Sequence, residues 1–193
     1  MEYPELHHQA KHIDRLIDEN IHAKRTVFLT TDQLQTIVVK VCPDFYVEDR
    51  GWHKIVFRHR RVDKNVVLKI GPQQSIENDH RTYKRVPHRI RHQIFARLFW
   101  HTKYCLLQEY GDPADVSAEQ LSCIRRLIYR FGIFDVKADN LRKIEGDLKI
   151  IDANAIRIPL PTQMRIADEL KAKFPEKLEK IIGKVIKRLK KLA

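Results

Sequence analysis

FGIFDVKADNLRKIEGDLKIIDAN, Phe131 to Asn154, is the stretch from which the rest of this chain can be placed. It contains D-x-K-x-x-N, running from Asp135 through Lys137 to Asn140, and a second acid at Asp152. Leu141–Ile144 and Leu148–Ile151 read as two strands, with Glu145-Gly146-Asp147 as the turn between them. A hairpin of that kind returns the chain to its start, so Asn140 and Asp152 stand side by side at its open end, with Asp135 one loop away. Two carboxylates, an amide oxygen and the Lys137 ammonium are thereby gathered in a small volume. Phosphoryl transfer needs such a set: an acid for the acceptor hydroxyl, oxygen ligands for Mg²⁺, and a cation against phosphate charge. The same residues also read as a plain β-hairpin with a surface Asp at each end.

Upstream, Phe45–Glu48, Lys54–His59 and Val66–Ile70 read as three strands, the first two joined through a turn containing Gly51. Lys69 interrupts the otherwise apolar strand Val66-Val67-Leu68-Lys69-Ile70; its ammonium costs free energy there unless it is partnered or reaches water. Ser75 caps an expected helix with Ile76, Tyr83 and Val86 on its apolar stripe. Asp79 shares that stripe, three residues after Ile76 and four before Tyr83, whereas Glu77 points elsewhere with Arg81 and Lys84. Pro87 ends the helix. Phe95–Trp100 and Tyr104–Tyr110 then read as antiparallel strands, the second leading into Gly111-Asp112-Pro113. Ser117-Ala-Glu-Gln120 is a capping-box pattern opening a helix with Leu121, Ile124, Leu127, Ile128 and Phe131 on one face.

In their order and spacing these pieces resemble the catalytic region of the protein kinase superfamily. Asp135, Lys137 and Asn140 match its catalytic-loop spacing, and Asp152 falls on the metal-binding Asp after the next hairpin. Ile133-Phe134 stands where that family usually has His-Arg, and Ala153-Asn154 where it has Phe-Gly. The resemblance implies an α+β, two-lobe fold, with an antiparallel N-terminal sheet above a reduced helical C-terminal lobe. It implies ATP and Mg²⁺ as cofactors. Asp135 would orient the acceptor, Lys137 offset γ-phosphate charge, and Asn140 and Asp152 hold metal, while Lys69 contacts the α- and β-phosphates with Asp79 or Asp152 as its partner. Gly51 would lie in the turn over the phosphates, and Gln108, Glu109 and Gly111 beside the adenine. The size is similar to that of minimal members such as RIO-type or lipopolysaccharide sugar kinases. The alternative is an inactive relative that binds RNA, acidic protein or a membrane surface; the phosphate acceptor is not legible.

Composition narrows the classes. In 193 residues, 32% charged and 43% hydrophobic, there is no apolar run near the ~20 residues of a membrane span, and Met1-Glu2-Tyr3-Pro4 does not open a cleavable signal. Cys42, Cys105 and Cys123 are far apart and form no C-x-x-C, which reads as reduced thiols and a cytoplasmic location. A formal net charge of +12 implies attraction to polyanions.

Two further helices are expected before the first strand, Pro4 to about Ala23 and one capped by Thr31, forming an extension packed on the N-terminal lobe. Beyond Asn154 come a proline-interrupted extended stretch and two helices. The last, from Pro175, is basic and amphipathic and reads as packing on its own domain or binding membrane or RNA. The expected organisation is therefore 1–43 helical extension, 44–111 N-terminal lobe and 112–193 reduced C-terminal lobe.

Overall fold

A computed structural model of the chain describes residues 2–51, 54–62, 65–134 and 136–155. The expectations for 156–193 lie outside the described residues. The protein is α+β, and it divides into two compact units: Met1–His80 with Arg97–Tyr110, and Arg81–Ala96 with the chain from Gly111 onward. Compactness does not separate the N-terminal helices from the sheet after them, and it places 81–96 with the second unit.

In the first unit, α1 (Pro4–Lys24) buries Leu6, Ala10, Ile13 and Ile17, a stripe at helical spacing, with proline at its start where a missing N–H costs nothing. α2 (Thr31–Val41) is capped one residue earlier than expected. Thr30 accepts from the Gln33 N–H, and the Gln33 side chain accepts from the Thr30 N–H at 3.0 Å. The reciprocal box requires a three-residue spacing, and only Thr30 has it relative to Gln33.

Five strands follow: β1 (Phe45–Arg50), β2 (Ile55–His59), β3 (Val66–Ile70), β4 (Leu98–His101) and β5 (Cys105–Glu109). They form one antiparallel sheet in the order β1-β2-β3-β5-β4. Register sorts its side chains onto two faces. Ile55, Ile70 and Cys105 pair across it, as do Phe57, Leu68 and Leu107, and all six join the core formed with α1 and α2. That shared core is the reason the N-terminal helices belong to the sheet's unit. Polar bonds reinforce it at the β4–β5 turn. The Asp14 carboxylate accepts the N–H groups of Lys103 and Tyr104 at 3.0 and 2.9 Å, and Asp18 accepts the Tyr104 hydroxyl at 2.7 Å.

α3 (Gln73–Arg85) begins in the first unit and ends in the second. It starts directly after Pro72, so Ser75 is an interior residue and not the expected cap; its N–H donates to the Pro72 carbonyl at 2.9 Å. The expected stripe is buried at Ile76, Tyr83 and Val86.

The second unit contains a helix the sequence pattern did not announce, α4 (His88–Ile94), seven residues long with only Ile90, Arg91 and Ile94 buried. So short a helix shows little periodicity, and Pro87, which reads as a stop, is the residue before a new start. Arg91 lies over the Tyr83 ring, and its Nε donates to the Val86 carbonyl at 2.9 Å. β6 (Asp112–Pro113) pairs with β8 (Leu141–Ile144), which forms a hairpin with β9 (Asp147–Ile150). α5 (Ala118–Tyr129) opens with the expected capping box between Ser117 and Gln120. β7 (Ile133–Phe134) pairs with β10 (Asn154–Ala155).

Candidate functional site

The residues singled out from the sequence fall into two groups, one in each unit. In the first, Lys69 stands on β3, opposite Val56 of β2 and Leu106 of β5. It therefore projects from the face away from the α1–α2 core, and it is only 3% exposed. Alternation puts Val67, Gln108, Lys54 and Arg58 on that same face. Gln108 is buried, and its side-chain oxygen has no hydrogen-bond partner among the described residues. Arg58 pairs with Glu48 at 3.1 Å and lies over the Tyr110 ring.

α3 supplies the acid on this face. Asp79, with its side chain 11% exposed, accepts from the Lys54 ammonium at 2.7 Å. Glu77 instead accepts from the Gln73 side chain along the helix, which matches its expected outward direction. Lys54 was not among the expected site residues. The signal for it was present: it precedes Val56 by two positions, so period-two alternation puts it beside Val56 and Arg58. One step further back, the Gly51 N–H donates to the Lys54 carbonyl at 2.8 Å, closing the β1–β2 turn.

At the end of β5, Glu109 binds Arg97 twice. Its N–H donates to the Arg97 carbonyl at 2.8 Å, and its carboxylate accepts the Arg97 N–H at 3.0 Å. Gly111 has a packing role in the second unit. A Cβ there would stand 2.2 Å from the Lys143 carbonyl oxygen, so the close β6–β8 approach requires glycine.

In that second unit the hairpin is tighter than expected. Its turn has two residues, Glu145 and Gly146, both with positive φ (53° and 84°), so β9 starts at Asp147 and not at Leu148. This is the mirror-image turn whose twist matches that of the flanking strands. Leu141 pairs with Ile150, and the Ile151 N–H donates to the Asn140 carbonyl at 2.9 Å. Asn140 and Asp152 are thus both at the hairpin's open end, each half-buried. Asn140 closes a single 3₁₀ turn, Ala138–Asn140, with Lys137 just before it and exposed. Arg125 of α5 holds the approach, its Nε donating to the Val136 carbonyl at 2.8 Å. Asp135 lies outside the described residues.

Comparison of the chain with protein-family models and with curated proteins finds no match.

A carboxylate and an amide oxygen suit a hard cation such as Mg²⁺, which takes one or two protein carboxylates and completes its shell with water and phosphate. Among the described residues there is no group of three or more His, Cys, Asp or Glu side chains able to hold a metal ion. The Asn140–Asp152 pair is the kind of sparse donor set Mg²⁺ uses. A cleft of about 460 Å³ lies elsewhere in the first unit, lined by Ile17, Phe28, Leu34, Gly71, Glu77 and Tyr104 among others, and none of the expected site residues that are described borders it. The Cys42 and Cys105 thiols are not reactive candidates. Burial raises Cys42 to about 11 and moves the fully buried Cys105 well above the ordinary range. No helix among the described residues is long and apolar enough to cross a membrane.

Proposed function

We propose that this protein is an ATP- and Mg²⁺-dependent phosphotransferase with a reduced two-lobe, protein kinase-like fold. The observation that carries the reading is Lys69: a lysine 3% exposed on the middle strand of a five-stranded antiparallel sheet, with α3 following it and presenting Asp79 on the same sheet face. A buried ammonium on such a face suits a phosphate oxygen, because the attraction is little screened there. Lys69 binds the α- and β-phosphates, and the apolar Val56, Val67 and Leu106 around it offer a surface for a base. Gln108, Glu109 and Gly111 lie along the adenine. Asn140 and Asp152 hold Mg²⁺, which when bound neutralises phosphate charge. Asp135 orients the acceptor hydroxyl, and Lys137 offsets charge on the transferred phosphoryl group. The acceptor's class is left to experiment.

The test is ATP turnover with Mg²⁺ in the wild type beside Asp135→Ala and Asp152→Ala. Each substitution is expected to lower kcat by about 10²–10³, the effect typical of removing one group that stabilises transition-state charge. Equal turnover in all three proteins removes the catalytic assignment. Binding of nucleotide with no turnover in the wild type makes the chain a nucleotide-binding relative without activity. Failure to bind ATP, with salt-sensitive binding to RNA or anionic lipid, leaves a basic docking module.

A further inference from the structure

The cleft of about 460 Å³ lies wholly within the first unit. Ile17 and Ile21, one turn apart on α1, and Leu34 of α2 give it aliphatic walls. Val27 and Phe28, on the connection between those helices, also line it and are 89% and 61% exposed. That connection is held by its own hydrogen bonds. The Thr26 N–H donates to the Ile21 carbonyl at 3.2 Å, and the Thr26 hydroxyl to the Phe28 carbonyl at 2.9 Å. Single exposed apolar side chains are ordinary, but two adjacent ones continuous with apolar walls form a surface that a ligand can cover. The volume falls within the range of small-molecule sites, about 300–1,000 Å³.

The start of α3 supplies the polar part of the lining. The Gln73 side chain donates to the Glu77 carboxylate at 2.8 Å, and the exposed Gln74 carboxamide offers both a donor and an acceptor. Tyr104 contributes its ring, since its hydroxyl donates to Asp18. Among the described residues that line the cleft there is no Lys, Arg or His, in a chain with 37 Lys and Arg, and Glu77 is the one charged side chain. An anion entering here would give up water and meet a carboxylate with no cation from the lining. An ammonium would share its counter-charge with Gln73, because Glu77 is already engaged along the helix. We infer that the cleft binds an uncharged, largely apolar small molecule with one hydrogen-bonding end, its body against Ile21, Phe28 and Leu34 and its polar end at Gln74. This stands apart from the nucleotide reading: ATP is an anion, and no described residue expected at that site borders the cleft.

The experiment is fluorescence titration of the neutral dye N-phenylnaphthylamine on four proteins. They are wild type; Ile21→Trp, which fills the cleft; Phe28→Ala, which removes part of its lining; and Tyr129→Ala, which removes an aromatic 64% exposed in the second unit. The dye is expected to saturate a single site on the wild type and on Tyr129→Ala. Phe28→Ala raises Kd about tenfold, the loss of one aromatic contact, and Ile21→Trp abolishes binding. Decanol displaces the dye at concentrations at least about tenfold lower than decanoate or decylammonium, which share its chain and differ in charge. Absence of saturable dye binding to the wild type overturns the inference, as does an equal loss in Tyr129→Ala and Phe28→Ala. Decanoate or decylammonium matching decanol also overturns it. So does light scattering that shows a dimer in the wild type and a monomer in Phe28→Ala, because a second copy then covers the cleft. If Ile21→Trp does not fold, Phe28→Ala decides alone, since its side chain is mostly exposed. Failure of the wild type to bind ATP removes the nucleotide reading and leaves this inference standing.

Discussion

The two units hold their candidate residues by different physical means. Lys69 sits in a strand whose five residues are all buried, in the middle of a sheet that shares a core with two helices. Asn140 and Asp152 are held by short pieces: a hairpin of two four-residue strands, a 3₁₀ turn, and backbone bonds such as Ile151 to Asn140. The first arrangement is stabilised by burial, which is additive over many side chains and indifferent to direction. The second depends on turn conformation and on individual backbone contacts, which are few and directional. A cation can be placed by the bulk of the structure around it, whereas oxygen ligands for a metal need loops that bring backbone and side chain to one point.

The contrast can be broken most strongly at the core. Phe57 is fully buried in the cluster that α1 and α2 share with the sheet. Phe57→Ala is expected to cost about 3–5 kcal/mol of stability, measured by urea denaturation. A loss under about 1 kcal/mol would mean that burial is not what holds the sheet.

A smaller effect is expected at Gly111, where added bulk meets the Lys143 backbone oxygen and not a yielding side chain. Gly111→Ala should cost about 1–3 kcal/mol. Its signature is local: amide exchange across Leu141–Ile150 accelerates while Val66–Ile70 keeps its protection. Equal acceleration in both would remove the distinction between the units.

The smallest effect concerns the polar tie between α1 and the β4–β5 turn. Burial raises the Asp18 carboxyl, but hydrogen bonds from Lys103 and Tyr104 outweigh it and the net shift is downward. A carboxylate whose pKa is depressed by folding adds stability that is fully present above its unfolded value, near 3.8, and is lost as pH falls through the folded value below it. Asp18→Asn should therefore lower Tm modestly at pH 7, with the gap to wild type closing as pH is taken below that value. A gap independent of pH would assign the effect to packing and not to charge.

Much of the fold is legible because it is local. The strand Val66–Ile70, the capping box at Ser117 and the hairpin after Asn140 each depend on residues within a few positions of one another, and each occurs. Where neighbouring signals compete, boundaries shift by one or two residues, as at Thr30 against Thr31 and Gln73 against Ser75. Asp79 stands out in the sequence by its place on the helical stripe, but its contact with Lys54 spans 25 positions and follows only once β2 and α3 are packed.

By itself the sequence determined the periodicities, the capping box at Ser117, the apolar strand with one lysine and the presence of the hairpin, because propensity, capping and turn chemistry act between near neighbours. Only the tertiary structure decided which sheet face carries Lys69, that α1 and α2 share the sheet's core, that Lys54 binds Asp79, and that Gly111 must be glycine. Those outcomes depend on which surfaces meet, and the free energy of meeting is set by the burial and pairing of residues far apart in the chain.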